Sequence, residues 1–405
     1  MVDLRDEYQI VGKAFINNAI IDNAVILIKD DKIIKVSKKE EHNVKTLTLK
    51  DNELIIPATI DLHVHLRDWE QSYKEDIESG TKAALKGGCS TIVEMPNTIP
   101  LINTPERLEQ RLDMLHAKSH VDFGIHFGVP NDLSELSKVT KKIVAIKVYP
   151  NDLHRINEIF YFALKLNLKV AVHAEFKVGD EPLAVNHVLS NKPRMVNLRF
   201  VHISKKESLK IINHNKDNNT FIEVTPHHLL LSHEDLQHIP EGIRYCRPPI
   251  SSANDKKALY DALISGFIDF IATDHAPHSI SEKLSENPAP GFPGLEIALP
   301  LMITQWIKGS ISLSQVIRTM CINPAKYLGI HKGIINEGFY ADLTIVNLKV
   351  WKYVKGSDFI SKAKYTPFEG WLLTGWPTKV FLRGSLAYDN GEIFSTKGRH
   401  ILDLK

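Results

Sequence analysis

The chain has 405 residues, 43% of them hydrophobic and 24% charged, with a formal net charge of +2. That length holds one large domain or two smaller ones, and the composition is that of an ordinary soluble globular protein. A charge so nearly balanced gives no electrostatic basis for binding nucleic acid or an anionic membrane surface, and no apolar run reaches the length of a bilayer span.

Residues 1–7 are charged and lack the apolar core of a signal peptide, so a cytoplasmic protein is expected. The three cysteines, Cys89, Cys246 and Cys321, lie far apart and match no zinc or redox spacing. They read as reduced thiols. The unusual figure is 19 histidines, several of them in short clusters at the ends of expected strands.

In chain order, residues 24–28 and 32–36 read as strands around a turn at Asp30-Asp31, a hairpin too small to bury a good core alone. The far end of the chain supplies partners: 339–346 and 379–382 read as strands, and 387–394 carries an Asn390-Gly391 hairpin signal. Residues 1–56 and 334–405 are therefore expected to combine into one small β-sandwich domain.

The middle, residues 57–333, alternates short apolar strands with helical stretches. Strands are expected at 59–65, 90–95, 121–127, 143–149, 168–173, 198–203, 220–224 and 269–273, with helices such as 73–86, 105–117, 156–166 and 255–264 between them. Eight such strands predict an α/β fold, a (β/α)8 TIM-like barrel. The competing fold, a doubly wound open sheet, lacks support because no Gly-rich dinucleotide fingerprint follows the first strand.

A barrel of this kind carries its active site at the C-terminal ends of the strands. The first end reads Asp61-Leu62-His63-Val64-His65-Leu66-Arg67-Asp68. Alternation along a strand turns His63, His65 and Arg67 to one side, where two imidazoles can chelate a metal beside a cation able to grip an anion. The second end offers Asn97, a hydrogen-bonding group, and the third offers His126, which carries no weight in the argument. At the fourth, Lys147 sits inside an apolar strand, where an ammonium is costly. Either its head snorkels to the barrel mouth, or its lowered pKa has let it react with carbon dioxide to give a carbamate that bridges two metals. The fifth and sixth ends give His173 and His202, which favour a second metal. The seventh gives Glu223 and then His227-His228. The eighth gives Asp274, able to ligate a metal and to exchange a proton with a nucleophilic water. The chemical logic is metal-assisted hydrolysis, in which two cations sharing a hydroxide make a nucleophile at neutral pH and polarise a carbonyl. Serine or cysteine nucleophile chemistry finds no matching motif.

These residues resemble the amidohydrolase superfamily, and within it the dihydroorotase family. His63-x-His65, Lys147, His173, His202 and Asp274 are similar to the superfamily's ligand set. The stretch 61–68, Met95-Pro96-Asn97-Thr98, Thr225-Pro226-His227-His228-Leu229, the run 272–278 and Gly291-Phe292-Pro293-Gly294-Leu295-Glu296 are similar to the narrower family's signatures. Asn323-Pro324-Ala325 and Ala341-Asp342-Leu343 fit the end of the barrel and the return into the β domain.

The resemblance implies interconversion of N-carbamoyl-L-aspartate and L-dihydroorotate in pyrimidine synthesis. It implies two zinc ions, one on His63 and His65, the other on His173 and His202, bridged by carboxylated Lys147. Asp274 would ligate the first zinc and act as general acid/base. Arg67, Asn97 and His278 would grip the substrate carboxylate, with backbone near Pro290 and Gly291 closing on the ring. Arg247-Pro248-Pro249 departs from the Asn-Pro-Pro of many bacterial members, and the bridging lysine from their aspartate. Both look more like the dihydroorotase domain of the animal multifunctional pyrimidine enzyme. That type implies Arg247 as a further substrate contact; a surface loop charge is the other reading. Val201 stands where a cysteine for a third zinc would be, although Glu223 is present.

Two other readings stand beside this one. Another cyclic amidase, such as a dihydropyrimidinase (hydantoinase) or an allantoinase, would share the metal ligands without needing to bind a ring carboxylate. A catalytically dead scaffold for another pyrimidine enzyme would have lost ligands, and none is lost. A homodimer and association with aspartate carbamoyltransferase are left open, and 149–155 and 279–290 are candidate substrate-covering loops.

Overall fold

A computed structural model describes residues 7–405. All but the last residue of the charged N-terminal stretch read above lies outside the described residues. No helix among the described residues is long and apolar enough to cross a membrane.

The expected terminal β domain is a nine-stranded hydrogen-bonded sheet built from both ends of the chain. Its N-terminal strands are Glu7–Ile16, Ala19–Lys29, Lys32–Ser37, Lys45–Thr48 and Glu53–Pro57, and its C-terminal strands are Leu343–Asn347, Trp376–Leu382, Ser385–Asp389 and Glu392–Ile393. Glu53–Pro57 joins the two sets. It runs parallel to the first strand and antiparallel to Leu343–Asn347, with Ile55 opposite Ile345. Hairpin chemistry follows the sequence: Asn17-Asn18 and Asn390-Gly391 take the positive φ that tight turns between twisted strands require.

All eight expected barrel strands are present. They are Thr59–Val64, Cys89–Glu94, Asp122–Ile125 (resuming as Phe127–Gly128), Ile146–Val148, Val170–Val172, Leu198–Phe200, Thr220–Val224 and Phe270–Ile271. They pair in parallel, and His65 N–H donates to His275 C=O at 2.8 Å to join the last strand to the first. Most stop one to three residues before the sequence pattern does, because their C-terminal ends leave the ladder to form the barrel mouth. The first helix starts at Ile77 rather than 73, where Asp76 caps the free N–H groups. That leaves Tyr73 and Lys74 in the loop above the barrel.

The bottom of the barrel is closed by the chain's last turn. Ile401 and Leu404 pack with Tyr327 and Leu328 under Ile60, Leu62, Val93, Ala171 and Phe270, all buried. Residues 398–404 thus leave the terminal sheet and cover the barrel floor, with Arg399 C=O accepting from Phe123 N–H at 3.0 Å.

Barrel and sheet are tied by a buried charge cluster. Lys332, 2% exposed, donates to Asp342 at 2.9 Å, to Thr91 at 3.0 Å and to Asp122, which also pairs with Arg383. Removing the ammonium leaves two buried carboxylates facing each other with one cation. Lys332→Met is therefore expected to cost about 3 kcal/mol or more of stability, read as a lower midpoint in denaturant unfolding. An unchanged midpoint would show that the cluster holds nothing together.

Candidate active site

The strand ends bring together the histidines that the sequence pattern singled out. Ring centroids run in a chain: His65 to His63 at 5.4 Å, His63 to His202 at 5.2 Å, and His202 to His173 at 4.5 Å. Asp274 Oδ1 lies 3.2 Å from His63 Nε2 and 3.1 Å from His65 Nε2. The ligand atoms of these three residues all fall within 4.8 Å of one another, a spacing that one metal ion can span. Burial holds the His63, His65 and His202 pKa values well below the usual imidazole range, and lowers that of His173, so all four are the neutral bases that a metal needs.

For three of the four imidazoles, the free nitrogen is selected by what holds the other. His63 Nδ1–H donates to Glu223 at 2.7 Å, and His65 Nδ1–H to Asn97 Oδ1 at 2.5 Å, leaving both Nε2 atoms facing Asp274. His173 Nε2 bonds Glu175 at 3.2 Å. His202 Nδ1 is buried with no hydrogen-bond partner. Lys147 is completely buried, and its Nζ also lacks a hydrogen-bond partner. Burial drives its pKa far below the ordinary lysine range, against the pull of Glu223 and Asp274. Asp274 is shifted the other way, raised by burial against the nearby cations. Neutral imidazoles around an orphaned amine and a carboxylate form a donor set that fits metal binding.

Arg67 stands at the other edge of the site. Its Nε donates to Pro277 C=O at 3.2 Å, and its NH2 lies 3.1 Å from His278 Nε2. Its own carbonyl accepts from Arg111, which is clamped by Glu94. Arg67, His202 and Asp274 all hold positive φ values, 56°, 42° and 48°, unfavourable for residues with a Cβ and concentrated here at the mouth. Pro290 C=O accepts from His278 Nε2 at 3.0 Å, and Gly291 N–H donates to Tyr245 C=O at 2.9 Å. Gly291 has φ +124° and no room for a Cβ, which would lie 2.6 Å from that of Ala276. Arg247, partly exposed at the rim, points both Nε and NH2 at Glu175 at 3.2 and 3.0 Å.

Several groups escaped the sequence reading. Arg199 is 0% exposed and pairs with Glu223 at 3.0 Å, while its NH2 bonds His126 Nε2 at 2.7 Å. His126, given no weight earlier, thus belongs to the layer beneath the histidines. Glu223 is committed to Arg199 and His63. The available signal was a charged residue inside the apolar strand Leu198–Phe200. Asp61 accepts backbone N–H from His63 and Thr273 and so couples the first and last strands. Lys283, buried, donates to the carbonyls of Tyr245, Ala289 and Gly291, fixing the loop after the eighth strand.

The sequence model of the family described as Amidohydrolase family matches residues 54–387. A protein named "Dihydroorotase" from Pyrococcus horikoshii is 34% identical, over 95% of this chain and 92% of its own length. One of the same name from Sulfolobus acidocaldarius is 31% identical, over 97% of this chain and 98% of its own length. Among solved structures, L-hydantoinase (dihydropyrimidinase) from Arthrobacter aurescens superposes with a TM-score of 0.89 at 26% identity, covering 97% of this chain and 99% of that one.

Proposed function

Because the chain belongs to the amidohydrolase family, we propose that it is a hydrolase of cyclic amides that interconverts L-dihydroorotate and N-carbamoyl-L-aspartate, as a step of pyrimidine synthesis. The observation that carries the substrate is the Arg67–His278 donor pair at the edge of the ligand cluster, with Arg67 two residues beyond His65. A neutral cyclic amide offers a buried guanidinium only uncharged carbonyl acceptors; a ring carboxylate offers it a charge-matched one. Full-length likeness to relatives named dihydroorotase supports the same choice.

In this reading His63, His65 and Asp274 would hold one zinc ion, and His173 and His202 would hold a second. Lys147, with its low pKa, would add carbon dioxide through Nζ, lose a proton and become a carboxylate offering two further oxygens to the metals. When bound, such ions lower the pKa of water and polarise the amide carbonyl. Asp274 takes a proton from the attacking water and returns it to the departing ring nitrogen, a role suited to a carboxyl whose pKa is raised. Glu223 and Asn97 keep His63 and His65 in the tautomers that leave Nε2 free. Arg67 and His278 hold the substrate carboxylate, and Asn97 offers its amide N–H groups. Pro290 and Gly291 bring backbone against the ring, and Arg247 closes the rim over Glu175.

Purified, zinc-replete protein is expected to turn over L-dihydroorotate with a kcat/KM about 100-fold above that for dihydrouracil or hydantoin, the value of the charge-assisted bonds those rings cannot make. Equal turnover of the rings lacking a carboxylate would favour a dihydropyrimidinase-type activity. Absence of turnover in both directions would overturn the reading.

A further inference from the structure

Lys74 has no part in the ligand cluster, yet it sits against the residue proposed to bind the substrate carboxylate. It is 8% exposed, and its ammonium is 2.7 Å from Glu282 and 3.3 Å from His278 Nδ1. An ammonium has donors only, so Nδ1 must accept, and the single ring proton of a neutral imidazole must then be on Nε2. Burial, with Arg67, Lys74 and Lys283 nearby, holds the His278 pKa down to about 2, so the ring is neutral; Glu282 is the one nearby group pulling the other way. The Nε2–H points at Pro290 C=O, 3.0 Å away, and lies 3.1 Å from Arg67 NH2. Two donors that close cannot satisfy each other: Nε2–H rests on Pro290 C=O, and the Arg67 NH2 is left facing it. An acceptor oxygen seated against both shares Nε2–H with that carbonyl and takes the guanidinium N–H as well.

We propose that Lys74 is a positioning residue for substrate specificity: by donating to His278 Nδ1 it obliges the ring to present Nε2–H beside the Arg67 guanidinium, making a two-donor seat for one carboxylate oxygen. The inference rests on the function proposed above and deepens it. Without the ammonium, the ring proton can move to Nδ1. Nε2 then accepts from Arg67, the two side chains pair with each other, and the seat closes. Lys74 reaches this position because Asp76 starts the helix late and leaves residue 74 in the loop over the mouth. Glu282, also bonded to Tyr73 at 3.0 Å, anchors the ammonium from the short helix Ile280–Lys283 that follows the eighth strand.

The test uses zinc-replete full-length protein with Lys74→Met, Lys74→Gln and Lys74→Arg. Methionine removes the donor, the glutamine oxygen can accept from Nδ1–H, and arginine restores a donor-only group. For Lys74→Met and Lys74→Gln, KM for L-dihydroorotate is expected to rise about tenfold with a smaller change in kcat, while KM for dihydrouracil stays within about twofold. Lys74→Arg recovers most of the loss. In 15N-histidine spectra, one imidazole that is protonated at Nε2 in the parent and absent from His278→Asn moves to the Nδ1–H tautomer in the methionine and glutamine variants. Either of those variants suffices should the other not fold. An unchanged KM for dihydroorotate, equal losses on both rings, or an unchanged tautomer would overturn the proposal. A parent enzyme that does not distinguish the rings would overturn the function reading instead, and the tautomer measurement would still decide the role of Lys74.

Discussion

Lys147→Ala is expected to reduce turnover of dihydroorotate to background and, on the two-zinc site proposed above, to lower bound zinc from about two equivalents per chain toward one or fewer, by elemental analysis. The reason is the position of Nζ: completely buried, without a hydrogen-bond partner, and set among four histidines and Asp274. A plain ammonium there is opposed by burial, whereas a carboxylated nitrogen has two oxygens to give to cations. Alanine removes the side chain and opens space where its four-carbon stem lay. Acetate or propionate is expected to enter that space and restore part of the activity, because each supplies the lost carboxylate without the covalent link. Rescue should rise with acid concentration and fade as the acid grows too bulky for the space. Full activity of the unsupplemented variant would remove Lys147 from the site's chemistry.

Asp274→Asn is expected to keep the fold and lose turnover by about 10³-fold, within the range that a lost general acid/base produces. Asparagine nearly matches the shape of aspartate, so the contacts to His63 and His65 can be made, but its amide cannot carry a proton between water and the ring nitrogen. The positive φ of residue 274 is also better tolerated by asparagine than by most residues. An unchanged circular dichroism spectrum with lost activity separates chemistry from folding, and a near-parental kcat would contradict the proton-transfer role. One equivalent of metal is expected to bind more weakly, since the proposed ligand loses its charge.

Much of the site was legible because barrel topology turns local strand ends into one ring. His63 and His65 could be placed from alternation, and Lys147, His173, His202 and Asp274 from their positions at successive ends. What the sequence withheld was pairing across the ring. Nothing local in Asn97 says that its carbonyl will hold His65, and nothing local in Glu223 says that Arg199 will occupy it. Arg199 and His126 each read as an isolated polar residue in an apolar stretch; only the closed barrel puts them 2.7 Å apart. Lys74 was absorbed into an expected helix because the pattern of 73–86 is helical throughout, and Asp76 capping overrode it. The hairpins at Asp30-Asp31 and Asn390-Gly391 were readable since their turn chemistry is local. The descent of residues 398–404 beneath the barrel was not, because Ile401 and Leu404 look the same in sequence whichever core they enter.

The pairing of Ile55 with Ile345 bears on how the molecule is made. A ribosome delivers the N-terminal strands long before Leu343–Asn347 exists, so the edge of Glu53–Pro57 that will meet it, buried in the finished protein, emerges with open backbone groups. The nascent chain must carry that edge through synthesis of the whole barrel. Strands waiting in this way are ready templates for pairing with other chains. Expression at low temperature or with holdase chaperones should therefore raise the soluble yield more than any change at the active site, and the barrel is expected to acquire protease resistance only after the sheet closes over it.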